Sequence, residues 1–207
     1  MKHPFLRRYT DLPSLIYLLS KRTLTLLDPS AWLDKNDSRY MQMYKEKGGL
    51  ASVLALCFTQ ATETFHHWQV YAYGRAGVCI HFRRQDLLAA VKSHIRVRAG
   101  NVRYRRLADL RVTKLARGDL PFLKRLAFKD EREFRIVYGT DTQIRNLDVP
   151  IPLDSIERVM LSPQMDSSLA PPAKHLLKSI DGCADLKIQH STLLSNREWL
   201  KHGASAV

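Results

Sequence analysis

Cysteine is scarce in this chain. Cys57, Cys79 and Cys183 are scattered and set in apolar, strand-like surroundings such as LALCF and GVCIHF, which suits reduced core thiols and not a disulfide framework or a zinc site. No apolar run approaches the roughly 20 residues of a membrane helix. The opening MKHPFLRRYTDLPS carries positive charge without the apolar stretch and small residues of a secretory signal, so a cytoplasmic protein is expected, with no membrane partner. There is no glycine-rich phosphate loop, which closes the Rossmann and P-loop routes to a nucleotide. No repeat, low-complexity tract or linker divides the chain, and residues 1–207 are read as a single globular domain.

Negative charge is in deficit. Lys and Arg number 33 against 20 Asp and Glu, a net +13. The surplus is local: Lys92 to Lys129 holds twelve basic residues against Asp109 and Asp119. Such a field concentrates polyanions, so a nucleic acid, RNA or DNA, is an expected partner; a solvated basic face that serves only solubility is the plain alternative.

Periodicity gives the elements. Asp11 precedes apolar positions at helical spacing (Leu12, Leu15, Ile16, Leu18, Leu19) and caps a helix. TLTLL, SVLALCFT, GVCIHF and EFRIVYG read as strands, and SRYMQMYKEKGG as a helix stopped at Gly48 and Gly49. TETFHHWQVYAYG reads as a threonine-capped helix whose Phe65, Trp68 and Tyr71 are most simply core. In HIRVRAGNVRYRR, His94, Arg96 and Arg98 alternate with Ile95 and Val97, then Arg103 and Arg105 with Val102 and Tyr104, which predicts strands with one arginine-lined face. LPFLKRLAFKDE is expected to be a short helix. Strands after Asn146, at ERVMLS and at DLKIQHS, with a helix in SSLAPPAKHLLKSID, complete the pattern. Helices and strands interleave while several strands are adjacent in sequence, so the fold class is α+β, a mixed, largely antiparallel sheet flanked by helices.

The stretch FKDEREFRIVYG aims Glu131 and Glu133 from the mouth of a strand that also carries Arg135. Two carboxylates two residues apart share a side of a strand, an arrangement suited to acid–base or electrostatic work. They could equally form ion pairs on a solvated strand, or a buried pair with Arg135 that fixes register. Asp28, Asn36 and Asp37 read as turn formers.

Several separated pieces resemble one bacterial family, the domain of unknown function 2971: Arg8 and Tyr9; LLDPSAWLDKNDS with Asn36 and Asp37; HHWQVYAYGRAGVCIHF with Trp68, Tyr71, Gly77 and Phe82; then Glu131, Glu133 and Arg135. The match runs from about residue 5 to about residue 162. Ser38 stands where that family usually has proline, and Val70 where histidine is common.

A looser resemblance is to the ADP-ribosyltransferase superfamily, in the order of a polar residue on a first strand, a helix (RYTDLPSLIYLLSKRTLTL), a second strand, and a glutamate on a late strand. That resemblance implies NAD as co-substrate, Glu133 stabilising the ribosyl cation and Glu131 placing the acceptor. Arg8 with Tyr9 would then lie at the pyrophosphate, and Trp68 or Tyr71 against nicotinamide. By analogy it also implies a nucleic-acid or nucleic-acid-associated target and a toxin or phage-defence setting, with room for an antitoxin partner. The rival is a non-catalytic nucleic-acid-binding module using Arg96, Arg98, Arg103, Arg105 and Arg106 on phosphates and Tyr104 on a base. A Mg²⁺ nuclease built on Asp28, Asp37 and the glutamates ranks third, since no spacing demands a metal and none is expected.

Overall fold

The computed structural model describes residues 4–72, 74–92, 94 and 96–204; Ile95, one member of the expected alternation, lies outside them. Asp11 accepts a hydrogen bond from the Ser14 amide and starts α1 (Leu12–Lys21), which leads from β1 (Phe5–Asp11) to β2 (Thr23–Leu27). Asp34, not Asn36 or Asp37, caps α2 (Lys35–Gly48), and Gly49 closes it at φ 60°, the left-handed conformation glycine accepts without cost. Strand β3 (Ser52–Thr59) and the Thr64-capped α3 (Phe65–Tyr71) follow as expected. Then come β4 (Gly77–Arg83) and α4 (Arg84–Lys92). A Cβ on Gly77 would sit 2.1 Å from the Ala72 carbonyl, so only glycine lets the chain leaving α3 lie this close to β4.

The basic tract departs from expectation. It forms β5 (Val97–Asn101), β6 (Arg103–Arg105) and α5 (Leu107–Arg111). LPFLKRLAFKDE is not one helix but a 3-10 turn over Arg117–Phe122 containing Pro121, a short strand β7 (Leu123–Arg125) and a second 3-10 turn, Leu126–Glu131. Proline removes a helical hydrogen bond, and the freed segment pairs in parallel with β6 instead. The chain ends in β8 (Glu133–Thr140), β9 (Asn146–Pro150), β10 (Ile156–Leu161), α6 (Ala170–Lys178), β11 (Ile188–His190) and α7 (Arg197–Ala204).

The main sheet is mixed and largely antiparallel; among its described pairings only β10–β11 is parallel. β1 lies between β4 and β3, and β8 covers one edge of β3 along its whole length with β5 beyond it. The other edge of β3 is shared: β1 meets it at Arg7–Thr59 and β2 at Leu27–Ala55. The main core, with Leu6, Leu56, Phe58, Ile80, Phe82, Phe134 and Ile136, fills one face of the sheet. The opposite face carries two smaller clusters, one around Met41, Tyr44, Val137 and Phe122, the other around Tyr9, Trp68 and Cys79. The three cysteines are free thiols; burial pushes Cys79 up to about 12, so it is an inert core group. No helix among the described residues is long and apolar enough to cross a membrane.

Candidate active site

Three carboxylates meet two cations at the mouth of β8. Arg135 is 0% exposed. Its Nε and Nη2 donate to the two oxygens of Glu133 at 2.6 and 2.8 Å, and Nη1 donates to Asp37 Oδ1 at 2.7 Å and to the Pro121 carbonyl at 3.0 Å. Nη2 also donates to Asp37 Oδ2. The guanidinium lies 4.9 Å from the centre of the Trp32 ring. Lys124 donates to Glu131 Oε2 at 2.6 Å and sits 3.4 Å from Glu133 Oε2 and 3.6 Å from Asp37 Oδ2. Tyr71 donates its hydroxyl to Glu131 Oε1 at 2.6 Å, and the Tyr104 hydroxyl accepts the Glu133 amide at 2.8 Å.

Local sequence explains this convergence. The left-handed Arg132 (φ 45°) ends the 3-10 turn, so Glu131 and Glu133 both turn inward; the Thr59 hydroxyl fixes the Glu131 carbonyl at 2.5 Å. Asp37 lies in the first turn of α2, three residues past its cap, and is buried rather than a turn former; Asp28 does act as one, accepting the Ser30 amide.

Burial raises the Glu133 carboxyl, but Arg135 and Lys124 outweigh it and hold the group below its ordinary value. For Asp37 burial prevails over Arg135, and its pKa rises. Burial lowers Lys124, yet Glu133, Glu131 and Asp37 raise it overall. Glu133 forms a buried pair with Arg135, and Glu131 pairs with Lys124; Asp37 and Lys124 join the cluster from elements that the spacing of residues could not reveal. Among the described residues no group of three or more His, Cys, Asp or Glu side chains could hold a metal ion: the carboxylates close around cations already in the chain.

Strand register decides what faces these acids. Arg7 pairs with Thr59, and Thr59 with Glu133, so the three side chains form a row across adjacent strands on one face. Arg8, expected at the pyrophosphate, belongs to the other face with Leu6 and Ile80, because alternation along β1 puts neighbours on opposite sides. The guanidinium that shares the acids' face is that of Arg7, which donates to the Ala61 carbonyl at 2.7 Å.

Helix α3 covers this row. Tyr9 stacks on His67 with ring centres 5.4 Å apart and meets Trp68 edge-on at 5.0 Å. Trp68 is buried and donates to Glu63 at 2.7 Å; held this way it is core, not a surface for nicotinamide. Tyr71 and Phe65, expected in the core, are 42% and 51% exposed, because the helix is short and only the His67–Trp68 side reaches the sheet. One buried polar atom here, Arg7 Nε, lacks a hydrogen-bond partner, whereas the Tyr9 hydroxyl meets the Cys79 thiol and His67 meets the Glu131 backbone. Unmatched buried polar groups are rare in proteins, and strain, a catalytic role or a bound water or ion accounts for them.

His81 faces the same side as Arg7, its partner in β4. Burial, then Arg7 and Arg158, push its pKa down to about 3, and its Nδ1 is the partner of Arg158 Nε at 3.3 Å, the role of a neutral imidazole. The unfolded chain takes up a proton near pH 6.5 while the folded one does not until about 3. Stability contributed here is therefore present above pH 6.5 and lost as pH falls through that window. Urea unfolding at steps from pH 7 to 4.5 should show this decline, and His81→Gln should flatten it by up to about 1.4 kcal/mol per pH unit.

The expected arginine face is broken up. β5 belongs to the main sheet and β6 to the small one, with buried Val102 between them donating its amide to the Glu133 carbonyl at 2.9 Å. Arg96 pairs with Asp141 at 2.8 Å and Arg103 with Asp119 at 2.5 Å. Arg98 donates to the Gly118 carbonyl at 3.0 Å and lies over the Phe122 and Tyr44 rings. Arg105 and Arg106 are exposed and form no ion pair among the described residues. The Tyr104 hydroxyl points inward at Glu133, which takes that end of the ring away from base stacking.

No family model matches the chain, and no curated protein matches it, so family 2971 stands as a resemblance only. Among solved structures the chain is similar to DarT of Thermus sp. 2.9. The complex with NAD+ gives a TM-score of 0.48 at 11% identity, covering 92% of this chain and 96% of that one. The complex with carba-NAD+ gives 0.47 at 11%, covering 92% and 97%. The complex with ADP-ribosylated single-stranded DNA gives 0.49 at 10%, covering 91% and 94%. At this level of similarity the side chains, not the superposition, have to carry any functional statement.

Proposed function

We propose that the protein is an ADP-ribosyltransferase-like enzyme that takes NAD on the face shared by Arg7, Thr59 and Glu131 and acts on nucleic acid. The observation that supports this reading is the Arg7–Thr59–Glu133 row with the unpartnered buried Nε of Arg7, beside a carboxylate, Glu131, whose hydroxyl partner Tyr71 is half-exposed. Two strand spacings separate Arg7 from Glu133, about 10 Å, a span that a ribose and its phosphate bridge.

Cleaving the bond from ribose to nicotinamide builds positive charge on the sugar, and a fixed carboxylate stabilises it. Both oxygens of Glu133 are occupied by Arg135 and Lys124. Glu131 is held by Lys124 and by the half-exposed Tyr71, not by the enclosed Arg135; once Tyr71 turns aside, Glu131 Oε1 is the oxygen that meets the ribose, and Glu133 holds Lys124 and Arg135 in place behind it. Arg7 takes the pyrophosphate through its free Nε. Tyr71 is the aromatic left exposed to lie against nicotinamide. The exposed Arg105 and Arg106 would hold the polyanion.

NAD, bound in one Thermus complex, and single-stranded DNA, present in another in ADP-ribosylated form, are the first probes, with RNA alongside. Wild type should move labelled ADP-ribose to one of them or to itself, and Glu131→Gln should not. If the setting is that of a toxin, expression in bacteria should slow growth and Glu131→Gln should relieve it.

A specific observation favours the rival, a nucleic-acid-binding module: the three acids are neutralised within the chain by Lys124 and Arg135. No heat of NAD binding, together with salt-sensitive RNA or DNA binding, would decide for it. Under either reading, Arg105→Ser and Arg106→Ser should each weaken binding across sequences and reduce the slope of log K against log salt by about 0.7 to 0.9, measured by fluorescence titration at several salt concentrations.

A further inference from the structure

We propose that the far end of the sheet, where β4, β10 and the segment entering β11 lie beyond β1, is a docking surface for single-stranded nucleic acid, with Arg83, Arg158 and Lys187 on phosphates and Phe5 against a base. The inference rests on the reading that the protein acts on nucleic acid, and is independent of its chemistry with NAD.

Strand register assembles the surface. Phe5 pairs with Arg83, and Arg158 with His81 two residues before Arg83 along β4, so these side chains share one side of three adjacent strands, the side of Tyr9 and Cys79. Glu157 is the extra residue of a bulge between the Ile156–Phe82 and Arg158–His81 pairs. The bulge re-aims its carboxylate at Arg83, whose Nε donates to it at 2.8 Å. Ile188 pairs with Val159 in the main core. Lys187, one residue earlier, therefore emerges on the opposite side, and its Nζ reaches Glu157 at 3.2 Å.

Little covers this end of the sheet. Helices α1, α4 and α6 bury their leucines in the main core on the other face, while α5 and α7 bury no residue. Of the described helices that leaves α2 and α3, which close over the Met41 and Trp68 clusters, and neither cluster includes Phe5. Phe5 and Arg158 are half-buried, and Arg83 and Lys187 are exposed. Arg83 and Lys187 share the one carboxylate of Glu157. Arg158 has no carboxylate within ion-pair distance among the described residues; its Nε points to the neutral His81 at 3.3 Å. Three cations against one acid leave a positive surface that draws a polyanion. An aromatic ring outside the packed clusters and among cations is the arrangement on which single strands lie, bases stacked and phosphates tracked by charge. A duplex keeps its base faces stacked inside, so Phe5 selects the single strand.

The test is fluorescence titration of the full chain with labelled single strands of DNA and RNA of about 12 nucleotides, and with a duplex of that length, at several salt concentrations. Wild type should bind a single strand more tightly than the duplex. Arg158→Ser and Lys187→Ser should each reduce the slope of log K against log salt by about 0.7. Phe5→Leu, which keeps an apolar side chain, should weaken binding roughly 10-fold with the slope unchanged. Glu157→Gln frees two cations and should tighten binding and steepen the slope, a gain that a misfolded variant does not imitate. If Arg105→Ser and Arg106→Ser weaken binding while these four variants bind like wild type, the surface is overturned and the nucleic-acid reading stands. If wild type binds no strand at all, that reading fails and the surface with it. Tighter binding of the duplex overturns the assignment to single strands, and loss of NAD binding in Arg158→Ser overturns it by making the surface part of the dinucleotide site.

Discussion

Replacing Arg135 with methionine is expected to cost about 3 to 5 kcal/mol, a fall in melting temperature of roughly 10 °C or more for a chain of this size. The guanidinium is wholly buried and is bonded to both oxygens of Glu133 and both of Asp37. Its loss leaves two interior carboxylates with only Lys124 between them. The penalty comes from the stranded acids more than from the lost bonds, and that gives the prediction a pH dependence. In wild type, Glu133 is held below its ordinary value, so its contribution is present above about pH 4.5 and fades as pH falls through the lowered value. Without Arg135, burial raises both acids and the folded state takes up protons that the unfolded chain does not. Acid should therefore narrow the gap between variant and wild type. Thermal and urea unfolding from pH 8 to pH 5 would measure it; a gap under 1 kcal/mol, or one indifferent to pH, would show that the cluster is not the enclosed ion network described. Adding Asp37→Leu and Glu133→Leu to Arg135→Met should recover part of the loss, since removing all partners avoids the stranded charge.

The strands and most helices were legible because each carries a local signal: Asp11 before its apolar helix, Gly49 after another, the continuous apolar run of β3. What failed was tertiary. LPFLKRLAFKDE has helical spacing, but Pro121 and a pairing partner twenty residues away in β6 decide its form. The spacing of Glu133 and Arg135 correctly signals a shared side of β8, whereas Glu131 ends the 3-10 turn before that strand, and Asp37 and Lys124 arrive from α2 and β7 with no mark in sequence of where they end. Arg7 and Arg8 are the sharpest case. Adjacent in a strand, they face opposite sides, and only the register of β1 on β3 tells which of them joins the acids. An isolated period-two pattern fixes alternation but never absolute facing.

That difference of one residue sets the second large effect. If NAD lies on the Arg7 face, Arg7→Gln and Glu131→Gln should each reduce ADP-ribosyl transfer about 100-fold or more, the scale on which removing a charge-stabilising group acts, while Arg8→Gln leaves transfer within a few fold. The two losses should differ in kind. Arg7 holds the pyrophosphate in ground state and transition state alike, so its variant should raise KM more than it lowers kcat. Glu131 meets charge that exists only as the glycosidic bond breaks, so its variant should lower kcat with KM little changed. Tyr71→Phe separates a third role: it removes the hydroxyl that now occupies Glu131 Oε1 at 2.6 Å but keeps the ring, so NAD should bind at least as well as in wild type. If Arg8→Gln abolishes transfer and Arg7→Gln does not, the dinucleotide lies on the Arg8 face of the sheet, and the row beneath α3 is structural.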